Sequence, residues 1–268
     1  MINQEISLVT GEDFPYLQIS KFNQIEGFFH MFTTRNGGHS HGPYSSFNLG
    51  FASGDSLESV EANKKMLDEF LGKQVFFPKQ VHGNAIIILD AEIDYEGMNG
   101  SVPADGVISN SRESCMGILT ADCVPLILID PEKKCVALIH AGWRSSFEGI
   151  AKKAVDLLKL KFGSTPQSIL VGIGPCIRVC CFEVGPELAD FVNQKFPTLH
   201  ELALPRQGTD RFSLDLVKFN LASLFAEGIS PENVSDSNLC TSCHQDLFFS
   251  HRAQRGTTGR QATVAMWK

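Results

Sequence analysis

Thr120-Ala121-Asp122-Cys123-Val124-Pro125-Leu126-Ile127-Leu128-Ile129 and Cys135-Val136-Ala137-Leu138-Ile139-His140-Ala141-Gly142-Trp143-Arg144 decide the fold. Val124–Ile129 and Cys135–His140 are short apolar runs and read as strands. Directly after them the pattern changes. Ser145 or Ser146 caps a helix running to about Phe162, with Ile150, Ala154, Val155, Leu157, Leu158 and Phe162 apolar and Gly163 as its stop.

Working outward, Asp105–Ser109, Ser168–Ile173 and Thr263–Trp267 read as further strands. Gln74–Val81 and Ala85–Leu89 read as a hairpin around His82-Gly83-Asn84. Phe28–Phe32 reads as a strand that runs into the turn Thr33–Gly38 and a long Gly/Ser/His loop to Gly50; loops of that length are usually functional or disordered. Leu57–Leu71, capped by Asp55 or Ser56 and ended by Gly72, reads as a helix, as do Pro186–Phe196 and Leu214–Glu227. Strand runs mixed with non-alternating helices predict an α+β protein with helices covering mixed sheets. No repeat, low-complexity tract or linker divides the chain, so residues 1–268 read as one domain.

Composition bounds the function. The 268 residues carry 23 Lys+Arg against 30 Asp+Glu, a net charge of −7, which argues against a nucleic-acid partner. No apolar run approaches the roughly 20 residues of a membrane span. Residues Met1–Ile6 show neither a basic start nor an apolar export segment, so a cytoplasmic protein is expected. In that compartment the eight cysteines read as free thiols, one or two of them doing chemistry.

Three segments place a nitrogen or sulfur ligand beside Gly, Ala or Pro at the end of an apolar run: Lys79-Gln80-Val81-His82-Gly83, Thr120–Pro125 and His140–Arg144. Two imidazoles and a thiolate suit Zn²⁺, and three protein ligands leave a fourth position for water or substrate. Spacing alone leaves this reading open beside a plainer one, in which each is an ordinary buried His or Cys.

A set of ordered motifs resembles the YfiH family, once labelled DUF152. It runs through Thr33-Thr34-Arg35-Asn36-Gly37-Gly38, Gly42–Gly50, Gly54-Asp55, Gln80–Gly83, Ala104-Asp105-Gly106, Thr120–Cys123 and His140–Arg144. It continues through Ile173-Gly174-Pro175, Phe182-Glu183-Val184-Gly185, Phe248–Arg252 and Thr258-Gly259-Arg260, covering nearly the whole chain. The resemblance implies a four-layer α/β/β/α sandwich. It implies His82, Cys123 and His140 as ligands of Zn²⁺, with Cu²⁺ an alternative. It also implies an enzyme of two activities. One is phosphorolysis of adenosine, inosine or methylthioadenosine to free base and ribose 1-phosphate; the other is deamination of adenosine.

That chemistry assigns further residues. Deamination needs a carboxylate to move a proton, and Asp122 and Glu183 are the candidates, each equally readable as a structural acceptor. Phosphorolysis needs cations: Arg35, Arg144 and Arg260 offer planar forks, and the Gly37-Gly38 turn offers N–H donors. Asn48 can reach a ribose hydroxyl or cap its own loop. The substrate is a small molecule, and the protein is expected as a monomer or homodimer. Phe182 and His251 stand where relatives carry Tyr.

Other motifs compete. Cys240-Thr241-Ser242-Cys243-His244 matches the haem-attachment pattern, but it also reads as a redox pair or a second metal half-site, or as the core of a non-enzymatic sensor. Cys176, Cys180 and Cys181 read as small buried residues, with Cys176 and Cys180 flanking a turn that can face a site. His39-Ser40-His41 is a copper-oxidase-like unit, yet eight histidines are too few for a laccase copper set, which counts against a polyphenol oxidase. A second enzymatic reading makes Cys123 a nucleophile with His140 or His82 as its base, acting on mis-assembled peptidoglycan precursors.

Overall fold

The computed structural model describes residues 5–11, 13–89, 96–199 and 201–268. Residues 1–4, on which part of the export reading rests, lie outside them. In chain order come β1 (Ile6–Val9), β2 (Tyr16–Ile19), β3 (Phe28–Thr33), α1 (Leu57–Leu71) and β4 (Ile86–Leu89). Next are β5 (Gly106–Ser109), β6 (Cys115–Thr120), β7 (Val124–Asp130), β8 (Cys135–Ala141), α2 (Trp143–Phe147) and α3 (Ile150–Phe162). The chain then forms β9 (Leu170–Ile173), β10 (Glu183–Val184), α4 (Pro186–Lys195), β11 (Ala203–Pro205) and β12 (Phe212–Leu214). It ends with α5 (Leu216–Ala226), β13 (Val234–Asp236) and β14 (Gln261–Trp267).

A five-stranded antiparallel sheet has the order β1-β2-β3-β14-β6. A six-stranded mixed sheet has the order β13-β9-β7-β8-β5-β4, parallel only at its two outer pairs. A small sheet, β10-β12-β11, stands apart. The period-two alternation of strand side chains builds the layers. In β7, Ile127 and Ile129 face the first sheet across a core with Ile118, Phe32 and Trp267. Leu126 and Leu128 face the other way, onto Ala154, Val155 and Leu158 of α3 and Phe219 of α5. In β14, Val264 and Met266 pack against Leu67 and Leu71 of α1. Helix, sheet, sheet and helices therefore stack in four layers, as the resemblance implied.

Several elements differ from the sequence reading. The hairpin around His82 does not form: β4 pairs in parallel with β5, and residues 74–81 contribute only isolated bridges at Phe76 and Lys79. His82 itself has φ 60°, which breaks an extended run. The single helix from Ser145 to Phe162 is two helices, because Gly149 at φ 79° starts a new one. Ser56, not Asp55, caps α1, accepting a hydrogen bond from the Ser59 N–H. The sequence reading contains no strand at β1, β2, β6 or β10–β13.

Candidate metal centre

The ladder of the six-stranded sheet brings the three segments together. β7 and β8 pair with Pro125 opposite His140 and Val124 opposite Ala141, so Cys123 lies at the start of β7 where β8 ends. β5 pairs with β8 with Gly106 opposite Ile139, which puts Asp105 at the same end. His82 comes from the loop before β4. The donor atoms of His82, Cys123 and His140 all lie within 4.8 Å of one another. The imidazole rings meet edge-on, with centroids 4.9 Å apart. Gly142 makes room: a Cβ there would stand 3.2 Å from His82 Cδ2 and 3.3 Å from Cys123 Sγ. His140 is buried, Cys123 half-buried and His82 exposed, so the group opens to solvent on one side.

Asp105 organises it, a residue the sequence reading quoted only within a motif. Its fully buried carboxylate accepts from the backbone N–H of Val81 (3.1 Å), His82 (2.9 Å) and Gly83 (2.8 Å). The fourth contact, 2.7 Å, is to His140 Nδ1, while the Asp105 carbonyl accepts the His140 N–H at 2.7 Å. One carboxylate thus shapes the His82 loop and turns His140 Nε2 toward the thiol, the arrangement that orients metal-binding histidines. Burial would raise the Asp105 carboxyl, but the His140 ring and the N–H donors outweigh it and hold it low. Burial likewise opposes a Cys123 thiolate, yet His140 and His82 bring the thiol down to about 6. His140 is pushed up to about 9, because Cys123 and Asp105 overcome its burial. A soft thiolate and two imidazoles within one small sphere fit a thiophilic divalent cation.

The other sequence-predicted residues divide. Asp122, at φ 94°, is nearly buried. Its carboxylate accepts from Thr241 Oγ1 (2.6 Å), Ser250 Oγ (2.7 Å) and the Arg252 N–H (2.7 Å). Arg260 lies close enough to feel the charges of Cys123 and Asp122; burial lowers its pKa and those charges offset part of the shift. One of its guanidinium nitrogens donates to the carbonyls of Thr258 and Gly259. Arg144 is exposed, its guanidinium 4.2 Å over the Trp143 ring.

Arg35 donates to the Ser45 carbonyl (2.8 Å) and the Gln245 carbonyl (2.9 Å) and stacks on Phe249. Asn48 is fully buried and its amide is spent within the protein. It donates to Ser53 and Asp55 and accepts from the Gly50 and Arg260 N–H groups, which matches the loop-capping alternative. The Gly38 N–H donates to Ser46 Oγ, so that donor does not face a ligand. Glu183 sits in β10, with Arg206 at 3.6 Å and Arg211 at 3.8 Å. His39 and His41 are exposed, and neither joins a group of potential ligands among the described residues. The buried Asn63 of α1, unread from the sequence, pins the long loop through Ser40, Ser46 and the Asn48 carbonyl.

Known proteins resemble this chain in sequence and fold. The model of the family described as "Multi-copper polyphenol oxidoreductase laccase" matches residues 29–268. "Purine nucleoside phosphorylase YlmD" of Geobacillus stearothermophilus is 35% identical over 239 residues, covering 85% of this chain and 86% of that protein. "Adenosine deaminase RL5", from an unknown prokaryotic organism, is 29% identical, covering 89% of this chain and 94% of that one. The crystal structure of YlmD from Geobacillus stearothermophilus superposes with a TM-score of 0.87 at 33% identity, over 97% of this chain and 98% of that one. Among the described residues, no helix is long and apolar enough to cross a membrane.

Proposed function

The chain belongs to the YfiH family, whose model carries the laccase description, and from that premise we propose a zinc-dependent purine nucleoside phosphorylase with adenosine deaminase activity. The observation that carries this reading is the His82, Cys123 and His140 group backed by Asp105 and open to solvent. Its substrates are adenosine, inosine or methylthioadenosine with phosphate, or adenosine with water. The setting is the cytoplasm, without nucleic acid or membrane, as a monomer or homodimer.

His82, Cys123 and His140 hold the ion, which supplies Lewis acidity toward an oxygen of water or substrate. Asp105 keeps the His140 Nδ1 proton in a hydrogen bond, so Nε2 stays aimed at the site. Arg260, close enough to Cys123 to feel its charge, attracts the phosphate anion, with Arg144 and Arg35 as further cations for it. In phosphorolysis a phosphate oxygen bonds to C1′ of the ribose while the bond to the purine nitrogen breaks. The base leaves with that electron pair and takes up a proton as the attacking hydrogen phosphate gives up its own. The Asp122 carboxylate accepts three hydrogen bonds and directly precedes Cys123, so it positions that ligand and is also the carboxylate that can move the deamination proton. Glu183, between two arginines, holds the small sheet.

The test is adenosine incubated with and without phosphate, with adenine, inosine and hypoxanthine separated. Adenine formed only with phosphate is the expected result, with inosine formed in both conditions. Neither product from zinc-loaded protein contradicts the proposal.

One observation favours a second reading. Cys123 at about 6 beside His140 at about 9 makes a thiolate–imidazolium pair between those two pH values. Such a pair suits a hydrolase nucleophile, with mis-assembled peptidoglycan precursors as its substrate. Below about 6 the thiol protonates and loses reactivity, and above about 9 the imidazolium deprotonates. In chelator-treated protein, alkylation of Cys123 is therefore expected to fall only below about pH 6, well under the range of an ordinary thiol. Added zinc protects Cys123 under the leading reading and leaves it reactive under the second. Copper polyphenol oxidation fits least well, because His39 and His41 stand apart from the ligand groups.

A further inference from the structure

A second group of thiols lies outside the centre just described. The sulfurs of Cys180, Cys181, Cys240 and Cys243 all lie within 4.8 Å of one another. Cys181 and Cys243 are 3.4 Å apart, Cys180 and Cys181 3.7 Å, and Cys180 and Cys243 3.8 Å. Four thiolates around zinc at about 2.3 Å in a tetrahedron stand about 3.8 Å from one another, by simple geometry from the Zn–S bond length. We propose that Cys180, Cys181, Cys240 and Cys243 bind one zinc ion as a closed tetrathiolate site.

The backbone supports it. Cys240 and Cys243 flank a tight turn in which the N–H groups of Cys243 and His244 donate to the Cys240 carbonyl. The two segments are already paired, since Cys176 donates to Leu239 and accepts from Thr241. Arg252 adds a 3.3 Å contact to the Cys181 carbonyl. Binding needs no oxidant: the thiols give up protons and the ion gains four sulfur donors, for a net charge of −2 on the cluster.

Four protein ligands leave no open position, so this ion is structural. Its place in the chain gives it a task. The same segments grip Asp122, through the Ile177 N–H on its carbonyl (2.8 Å) and Thr241 Oγ1 on its carboxylate. Asp122 precedes Cys123, so the zinc clasp braces the turn that presents the thiolate of the first centre.

The test counts metal in the full-length protein purified without chelator. Wild type is expected to hold two zinc ions per chain. His82→Ala with Cys123→Ser keeps one, and Cys181→Ser with Cys243→Ser also keeps one. Cobalt loaded into the His82→Ala, Cys123→Ser variant should show the intense thiolate charge-transfer and tetrahedral ligand-field bands of four sulfur ligands. That readout needs no mutation in the clasp and no enzymatic activity, so it stands or falls apart from the nucleoside reading. No bound metal and no such spectrum in that variant overturns the proposal. So does finding the four thiols consumed as two disulfides in freshly purified protein.

Discussion

Among the described residues, the two clusters of nitrogen and sulfur donors are built by different means. His82, Cys123 and His140 sit at one end of a six-stranded sheet, where the ladder and a single buried carboxylate set their places. Cys180, Cys181, Cys240 and Cys243 lie in turns between elements, 62 and 63 residues apart across the two segments. The first group offers three donors and a side open to solvent; the second offers four. Strand ends give the precision that chemistry on a substrate needs. Turns can close around an ion that does nothing but hold them. Between the two lies Asp122, hydrogen-bonded to the second region and bonded in sequence to a ligand of the first.

The strongest way to break the contrast is to remove a donor from the strand-end group. Cys123→Ser is expected to bring phosphorolysis and deamination to background with the fold retained, checked by product assay and circular dichroism. Full activity in this variant would make the group incidental. Next in size is Asp105→Asn, which leaves all three donors but weakens their orientation. A loss of about 10- to 100-fold in zinc affinity or activity is expected, by analogy with other outer-shell partners of metal-bound histidines. Asp105 is held below its ordinary range, so its stabilising contribution is present near neutrality and is lost as pH falls through its folded value. The Asn variant should therefore flatten the acid limb of Tm against pH.

Smaller effects sharpen the contrast between the strand ends and the loops around them. Asn48→Ala strands the Gly50 and Arg260 N–H groups. A loss of about 1–3 kcal/mol in unfolding free energy is expected for such orphaned buried donors, with KM for the nucleoside little changed. A large rise in KM instead would return Asn48 to the ribose. Arg144→Ala, at an exposed position, is expected to raise KM for phosphate several-fold while kcat holds.

Much of this was legible in the residues, and what was not has physical causes. β7 and β8 were readable because strands buried on both faces are nearly continuous apolar runs. β6 escaped because Cys115–Thr120 carries Gly117 and a polar flank, and its partner β14 lies at the far end of the chain. The three metal-centre donors stood out by residue type at run ends. Asp105 did not, since an Asp beside Gly also reads as a turn, and its four donors converge only in the folded chain. The helix after Trp143 looked continuous because a single left-handed Gly149 leaves the apolar periodicity intact on both sides. Cys240 and Cys243 drew notice as a spaced pair, whereas Cys180 and Cys181 looked like core residues, because no local signal links turns so far apart.

The central claim is that the strand-end group is a metal-dependent catalytic centre. The most direct measurement strips the protein of metal with a chelator, adds zinc stepwise, and follows adenosine turnover in phosphate for wild type and His82→Ala. The account predicts that turnover vanishes on stripping, returns with zinc in wild type, and does not return in the variant. Turnover that survives complete removal of metal, or that zinc restores equally in His82→Ala, would contradict it.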